Sequence, residues 1–516
     1  MTSGSRNQEP RFGSEGLTAA DWKAIASLGL RRLVNDSRAV RPGDAFVAYP
    51  GQARDGRDYI GQAVANGAAA VLWERSGFRW DPQWCVPNLG VRGLRHHAGG
   101  IASRLHGRPS RRMRVIGVTG TNGKTTCSQW IAQALTRCGR RCAVIGTLGY
   151  GLRSPLKSLV NTTPDALWLH AQLAEFARRG AQAVAMEVSS IGLDQDRVAG
   201  VEFDTALFTN LSRDHLEYHR TMKRYGEAKA RLFTWETLKH AVVNVDDDFG
   251  VELARRIRRR GLEVIGYGFG AARSGHITGT RLVSGAFGVT FDVKTPWGDA
   301  RVMGPVPGRH NASNLLGILA VLLAGGIPLR RAVAALAALK PVPGRLQRLG
   351  GGAKPLVVVD YAHSPDALEQ VLTTLRELLA RGSSSSTPFD AARDRHHPSR
   401  LICVFGCGGD RDPGKRPGMG RVAARLADRV VVTSDNPRSE EPAKIIRDIV
   451  AGVPGGGRAV EIEPDRGAAI RRAVTGAGRG DIVLLAGKGH ETYQEVRGVR
   501  HPFSDLQAAR EALARR

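Results

Sequence analysis

The sequence predicts an α/β protein of three domains arranged around a central, doubly wound, mostly parallel sheet. Three observations lead there. The chain has 516 residues, which at roughly 150 residues per domain makes about three. Apolar residues make up 42% and charged residues 24%, a globular balance with enough apolar surface for several cores. Short apolar runs alternate with helical patterns, and that alternation is the mark of parallel strands with helices packed on both faces.

Taken in order, residues 1–112 read as a small N-terminal α/β domain. Its strand-like runs Ala45–Ala48 and Ala69–Leu72 lie between glycine turns, and it ends near the basic stretch Arg108–Arg114. Residues 113–342 form the central domain. Its apolar runs are Val115–Val118, Ala143–Ile145, Ala183–Met186, Thr205–Phe208, Ala241–Val245 and Val264–Tyr267. Residues 343–516 form a second α/β block after Pro341-Val-Pro343-Gly344, with strands at Leu356–Val359, Leu401–Phe405, Val430–Thr433 and Ile482–Leu485. The serine-rich segment from Gly382 to Pro388, with the charged stretch up to Arg400, reads as a surface insertion or disordered loop. Nearly every unusual polar cluster follows a strand run, at the carboxyl edge where open parallel sheets bind ligands.

The charge is the outlier. Lys and Arg number 75 against 48 Asp and Glu, a net charge of +27, and 63 of the basic residues are Arg. Such an excess suggests nucleic acid or an anionic membrane, but the basic residues are spread along the chain. The densest run, Arg255–Arg260, sits beside an apolar strand pattern and reads as a solvated helix face. The longest apolar stretch, Leu315–Ile327, is too short to span a bilayer. Residues 1–16 are polar, without the apolar run of a signal peptide. Six cysteines are too few for a disulfide scaffold. The pairs Cys138/Cys142 and Cys403/Cys407 lack metal-ligand spacing and a completing His cluster. The expectation is a soluble cytoplasmic protein.

The strongest chemical signal is Val115-Ile-Gly-Val-Thr-Gly120-Thr121-Asn122-Gly123-Lys124-Thr125-Thr126, leading into a helical run at Gln129–Leu135. Strand, glycine loop and helix N-terminus place backbone N–H groups and the positive dipole end around a phosphate. Lys124 would reach the β/γ-phosphates and the Thr125 hydroxyl would meet Mg²⁺. The strict spacing of this loop type requires glycine where Val118 stands, so the motif is a shortened form with the same physical parts. Glu187, His215 and Lys229 follow on strand ends and a helix. Singly these suit a cap, a satisfied polar residue and a solvated charge; together behind a phosphate loop they suit a Mg²⁺ site for phosphoryl transfer. The C-terminal block carries Asp360-Tyr-Ala-His363, Gly406-Cys-Gly-Gly-Asp-Arg411, Asp435-Asn436-Pro437-Arg438 and Gly487-Lys-Gly-His-Glu491. Its arginines suit a carboxylate, gripped by a guanidinium fork, and Glu491 suits an ammonium; surface ion pairs are the plainer alternative.

These motifs, in this order and over nearly the whole chain, resemble the ATP-dependent Mur ligases of peptidoglycan synthesis. Asp36-Ser37-Arg38 with Gly51-Gln-Ala-Arg-Asp-Gly56 is similar to the family's UDP-sugar domain, and the phosphate loop, Asn161-Thr-Thr-Pro164 and Glu187-Val-Ser-Ser190 to its ATPase domain. The resemblance implies a P-loop-type central sheet and a Rossmann-like C-terminal domain. It implies ATP held by Gly120–Thr126, Asn311, Arg345 and Asp360. Mg²⁺ would lie at Thr125 and Glu187, and at His215 with Lys229 as a CO₂-derived carbamate. UDP-MurNAc-L-Ala-D-Glu would meet Ser37, Gln52, Ala53, Arg54, Asn161, Thr162, Thr163, Ser189, Gln195 and Arg197. Meso-diaminopimelate would meet Arg411, Asp435, Asn436, Pro437, Arg438, Gly487 and Glu491, the Asp-Asn-Pro-Arg form being associated with it rather than with L-lysine. The implied catalytic set is Lys124, Glu187, His215 and Lys229, in a monomer that binds no nucleic acid and does not enter the membrane.

Departures from the family pattern are Ile191-Gly192 where a His usually follows the serines, His310 where an aromatic commonly precedes Asn311, and the serine-rich insertion. The alternatives are an L-lysine-adding or other Mur or folylpolyglutamate-type ligase and, from another class, a basic P-loop ATPase that binds nucleic acid. The last needs a concentrated patch with interleaved aromatics, whereas aromatics are 6% of this chain.

Overall fold

The computed structural model describes residues 16–52, 54–270, 275–382, 399–457 and 460–515. Ala53 and the core of the serine-rich segment, residues 383–398, lie outside the described residues. The chain packs into two compact units. One comprises Met1–Thr119, Gly139–Ala206 and Ala228–Ala241; the other Gly120–Cys138, Leu207–Glu227 and Val242–Arg516.

The first unit carries a four-stranded parallel sheet in the order Leu33–Val34, Ala45–Ala48, Ala70–Glu74, Asn88–Val91. Alternate residues of its central strands feed two cores, as the two-residue strand period requires. Ala45, Val47, Ala70 and Leu72 pack with Leu94 and Ile101 of the helix Leu94–Leu105. Phe46, Ala48, Val71 and Trp73 pack on the other face with Ile60 and Ala63. In the same unit, Ala183–Glu187 lies between Arg114–Thr119 and Cys142–Gly146, all parallel. Asp196 ties the unit together: His96 Nδ1 lies 2.7 Å and Arg231 NH2 2.8 Å from its carboxylate.

The second unit holds the helices Lys124–Arg137 and Arg309–Ala324. The latter is buried on nearly every face from Asn311 to Leu323, which accounts for the long apolar stretch in the sequence. Among the described residues no helix is long and apolar enough to cross a membrane. An antiparallel meander, Ile277–Gly285, Gly288–Thr295 and Gly298–Gly304, extends from the parallel strand Glu263–Gly268. The sequence reading had no strands there. Val289, Phe291, Val293 and Val302 point into the core while Met303 and Lys294 stay exposed, so half of each strand is polar or solvated. A six-stranded sheet follows, in the order Gln347–Gly350, Leu356–Asp360, Ile482–Ala486, Leu401–Phe405, Arg429–Val432, Val460–Ile462; it is parallel except for the first strand. Its inner residues Val357, Val359, Ile402, Val404, Val431, Val483 and Leu485 are buried against the helices Arg466–Thr475 and Asp505–Ala514.

The Arg255–Arg260 run ends the helix Asp248–Arg258, with Arg255, Arg256 and Arg258 exposed and Ile257 buried, a solvated face as expected. None of the six cysteines, all among the described residues, forms a disulfide, and burial pushes the Cys142, Cys403 and Cys407 thiols up to about 12.

Arg466 and Asp505 form a fully buried bidentate pair, with Nε–Oδ1 and NH2–Oδ2 both 2.7 Å, that ties the two helices of this core together. Removing one partner of such a pair strands a charge and costs about 3–5 kcal/mol. Asp505→Ala is expected to bring the urea unfolding transition of this core forward by that amount. The paired change Arg466→Met with Asp505→Leu is expected to recover most of the loss. A single variant as stable as the parent would contradict the assignment.

Candidate functional site

The glycine loop is held by a second segment of its own unit. Thr121 N donates to Asn210 O at 2.8 Å, Asn122 N to Asn210 Oδ1 at 2.9 Å and Thr209 Oγ1 to Asn122 O at 2.6 Å. Thr121 Oγ1 and Ser212 complete the stitch at 3.0–3.1 Å. Gly123 begins the helix in the left-handed region, at φ 86°, where a Cβ would stand 2.6 Å from Asn314 Oδ1; only glycine fits there without strain. The next residues open the helix, so its N–H groups and positive end face the loop. Lys124 Nζ donates to Gly120 O at 2.9 Å and Thr121 O at 2.8 Å, and Thr125 and Thr126 are buried.

Arg345 reaches the same helix, donating from NH2 to Thr125 Oγ1 at 3.0 Å, with its guanidinium 4.6 Å from the Tyr361 ring. Among the described residues its buried Nε finds no hydrogen-bond partner. Asp360, at the end of its strand, accepts from Leu346 N at 2.7 Å and Ala362 N at 2.8 Å. Burial raises its carboxyl, and Arg345 works against that rise. Asn311 is buried, donating to Pro307 O at 2.8 Å and lying 3.1 Å from His310 Nε2. Burial lowers the His310 imidazole to about 4, so it stands where an aromatic was expected as a neutral ring.

His215, at φ 54°, opens a short helix and places Nδ1 3.4 Å from Glu217 and Nε2 3.6 Å from Asp214. Asp214 also lies 3.5 Å from buried Lys415 and 3.6 Å from His363. Its burial would raise the carboxyl, but the charge of Lys415, with His363 and His215, holds it well below the usual range. Arg213 pairs with Asp412 at 2.9 Å, and Asn122 Nδ2 donates to Asp366 at 2.8 Å. Lys415 and Asp214 escaped sequence reasoning, although Asp214 directly precedes His215; a lysine amid arginines gives no pattern to detect.

The first unit brings the expected sugar-side residues into one hydrogen-bonded chain. Glu187, buried at the end of its strand, accepts from Thr147 N at 2.8 Å and Thr147 Oγ1 at 3.0 Å. Thr147 Oγ1 lies 3.0 Å from Thr162 Oγ1, and Thr163 Oγ1 donates to Glu187 O at 3.0 Å and Ser189 Oγ at 3.1 Å. Arg197 NH1 donates to Thr163 O at 2.9 Å, its NH2 to Gln195 Oε1 at 2.6 Å, and Gln195 Nε2 to Gln52 Oε1 at 2.9 Å. Gly192 is closely packed: its N donates to Ser189 Oγ at 3.0 Å, and a Cβ there would stand 2.8 Å from the Thr163 side chain. Nothing in the structure explains Ile191 in place of the family's His. Thr147 was missed because a lone threonine after a strand carries no signal. Ser37 bonds elsewhere, to Gln62 at 2.6 Å. Asn161 and Arg54 are exposed, and the structure does not bring them into the chain. Lys229 is buried, 1% exposed, in the helix Met222–Ala230.

The third cluster lies at the strand ends of the six-stranded sheet. Asn436 is its hub: Nδ2 donates to Glu491 Oε2 at 2.9 Å, and Oδ1 accepts from Lys488 Nζ at 3.0 Å and Glu495 N at 2.9 Å. Lys488, fully buried, also lies 3.0 Å from Glu491. Asp435 bonds Asn436 N at 2.6 Å, and Gly487 N donates to Asp360 O at 3.1 Å, which sets this cluster beside the Asp360 turn. Arg438 follows Pro437 in the left-handed region at φ 52°, donates from NH1 to Gly409 O at 2.6 Å and lies 3.9 Å from Glu495. Arg411 is exposed, lies 3.4 Å from Asp410 O and does not join the hub. Lys488 stood inside a quoted motif unremarked, and Glu495 gave no signal.

Known proteins place this geometry. Three family models match: "Mur ligase family, catalytic domain" over residues 31–104, "Mur ligase middle domain" over 118–322 and "Mur ligase, glutamate ligase domain" over 384–489. A Nitrosomonas europaea protein named UDP-N-acetylmuramoyl-L-alanyl-D-glutamate–2,6-diaminopimelate ligase is 50% identical over 492 residues, 94% of this chain and 93% of that one. A Chromobacterium violaceum protein of the same name is 50% identical over 96% of this chain and 97% of its own. A solved structure of a ligase of that name is 37% identical, with a TM-score of 0.65 over 94% of this chain and 95% of the other. MurF from Thermotoga maritima, solved with ADP, shares the fold at 19% identity and a TM-score of 0.60, covering 95% of this chain and 98% of its own. With half its residues shared over almost its full length, and with a strand-end phosphate loop of this construction, the chain belongs to the Mur ligase family.

Proposed function

We propose that this chain is an ATP-dependent, ADP-forming ligase that adds meso-2,6-diaminopimelate to the D-Glu γ-carboxylate of UDP-MurNAc-L-Ala-D-Glu in the cytoplasm, acting as a monomer in peptidoglycan precursor synthesis. Residues 1–112 take the UDP-sugar, 113–342 the nucleotide and 343–516 the amino acid. The observation that carries the reading is the Asn436 hub. Glu491 and Asp435 offer carboxylates to an ammonium, while Arg438 is oriented by Gly409 O and offers a fork for a carboxylate that lysine lacks.

Lys124 would exchange the loop carbonyls for the β/γ-phosphates, and Arg345 has a buried, unbonded Nε to direct at an anion. Gln52, Thr162, Thr163, Ser189, Gln195 and Arg197 would orient the sugar peptide. Among the described residues no group of three His, Cys, Asp or Glu side chains suits a metal. That fits Mg²⁺, which is held by one or two carboxylates and substrate phosphates rather than an all-protein cage. Thr125 and Glu187 would hold one ion, and His215 with carbamylated Lys229 a second; buried Lys229 suits an amine that loses its proton and takes up CO₂. When bound, Mg²⁺ neutralises the triphosphate. The γ-carboxylate attacks the γ-phosphorus to give an acyl phosphate and ADP. The diaminopimelate amine then attacks the acyl carbon, and phosphate leaves. Positioning and charge neutralisation supply most of the acceleration.

Two outcomes are expected. ADP release with UDP-MurNAc-L-Ala-D-Glu proceeds with meso-diaminopimelate and is slower by roughly 10⁴-fold with L-lysine, because a site built for a polar group rejects the analogue without it; equal rates would refute the specificity. Lys229→Ala lowers kcat by about 10²–10³-fold, the scale for removing one charge-stabilising group; full activity in that variant would end the carbamate assignment.

A further inference from the structure

A cavity of about 370 Å³ in the second unit belongs to none of the three clusters. Val245, Val251 and Ala254 form an apolar floor, and Arg255, Arg258, Arg259 and His276 supply its polar wall. The helical members 251, 254, 255 and 258 recur at the spacing of one helix face, so the helix Asp248–Arg258 turns a single stripe into the cavity.

The arginines here are not all spoken for by the fold. Arg256 pairs with Glu227 at 2.7 Å and Glu252 at 2.9 Å, and Arg255 shares Glu252 at 2.6 Å. Among the described residues neither Arg258 nor Arg259 has a carboxylate within ion-pair distance. Nor are they needed to cap the helix. The last-turn carbonyls of Arg255, Ile257 and Arg258 already accept from the N–H groups of Arg259, Arg260 and Gly261. Arg258 NH2 instead crosses to His276 Nε2, 3.0 Å away. His276 is itself buried, 8% exposed, with its ring against Gly266. The helix C-terminus contributes roughly half a negative charge, less than two guanidinium groups without a carboxylate partner supply.

We propose that this cavity binds a small organic phosphate, the phosphate on Arg258 and Arg259 and its apolar portion on the Val245–Val251–Ala254 floor. Guanidinium groups suit a phosphate dianion through paired N–H donors. The floor favours a monoester over the bare ion because it buries carbon.

The test is calorimetric titration of the full chain with phenyl phosphate, with inorganic phosphate as the comparison and the triphosphate loop filled by Mg²⁺ and a non-hydrolysable ATP analogue. One-to-one binding is expected, tighter for phenyl phosphate. Arg258→Gln with Arg259→Gln is expected to weaken it at least tenfold, the scale of one lost charged hydrogen bond, with Tm and analogue affinity unchanged. No binding by the parent chain, or the same affinity in the double variant, would overturn the site. Equal affinity for the two anions would overturn the role of the floor. Neither result touches the ligase reading, which rests on other residues and a different assay.

Discussion

A parallel strand covered on both faces can carry polar chemistry only where it ends. Along Leu356–Asp360, Leu401–Phe405 and Ile482–Ala486 almost every residue is buried and apolar, and an unpaired polar group within such a layer would cost several kcal/mol. The chemistry therefore collects at the carboxyl ends. Glu187 and Asp360 close their strands, Asp435 follows Arg429–Val432 and Gly487 follows Ile482–Ala486. Each of these ends is locked by hydrogen bonds that leave it no freedom to wander. The Asn122–Asn210 stitch does the same for the glycine loop. A site for successive phosphoryl and acyl transfer needs this rigidity, because small misplacements of reacting groups lose large factors in rate.

Much of the fold was legible because buried parallel strands are continuous apolar runs. Thr205–Phe208 and Leu401–Phe405 were read to the residue, and Arg114–Thr119, Cys142–Gly146 and Ile482–Ala486 to within one residue at either end. What escaped were strands with a solvated face or very few residues, among them the meander 277–304, Leu33–Val34, Asn88–Val91, Gly149–Gly151, Gln347–Gly350, Val460–Ile462 and the hairpin Tyr493–Val496 with Val499–Pro502. Their alternation is short and broken by polar residues or turns, so propensity alone does not distinguish them from loops.

The site was legible where chemistry forces a contiguous motif and obscure where it recruits single residues. Gly120–Thr126 and Asp435–Arg438 announce themselves because loop geometry and the proposed ligand contacts act over successive positions. Lys415, Thr147 and Glu495 are brought in by tertiary packing alone. Arg411 shows the converse: a motif arginine exposed away from the Asn436 hub. The net charge of +27 divides in the same manner: many arginines stand in ion pairs such as Arg376–Asp428, while Lys124, Arg345 and Arg438 belong to the proposed anion-binding positions.

Ligation through an acyl phosphate is decided by the fate of one oxygen. If UDP-MurNAc-L-Ala-D-Glu labelled with ¹⁸O in the γ-carboxylate is turned over with ATP and meso-diaminopimelate, attack on the γ-phosphorus carries a carboxylate oxygen into the phosphate that departs. One ¹⁸O per released phosphate, seen by mass spectrometry beside an amide product retaining the other, is the predicted result. Unlabelled phosphate beside the same singly labelled amide, with the second ¹⁸O lost to water, would contradict it.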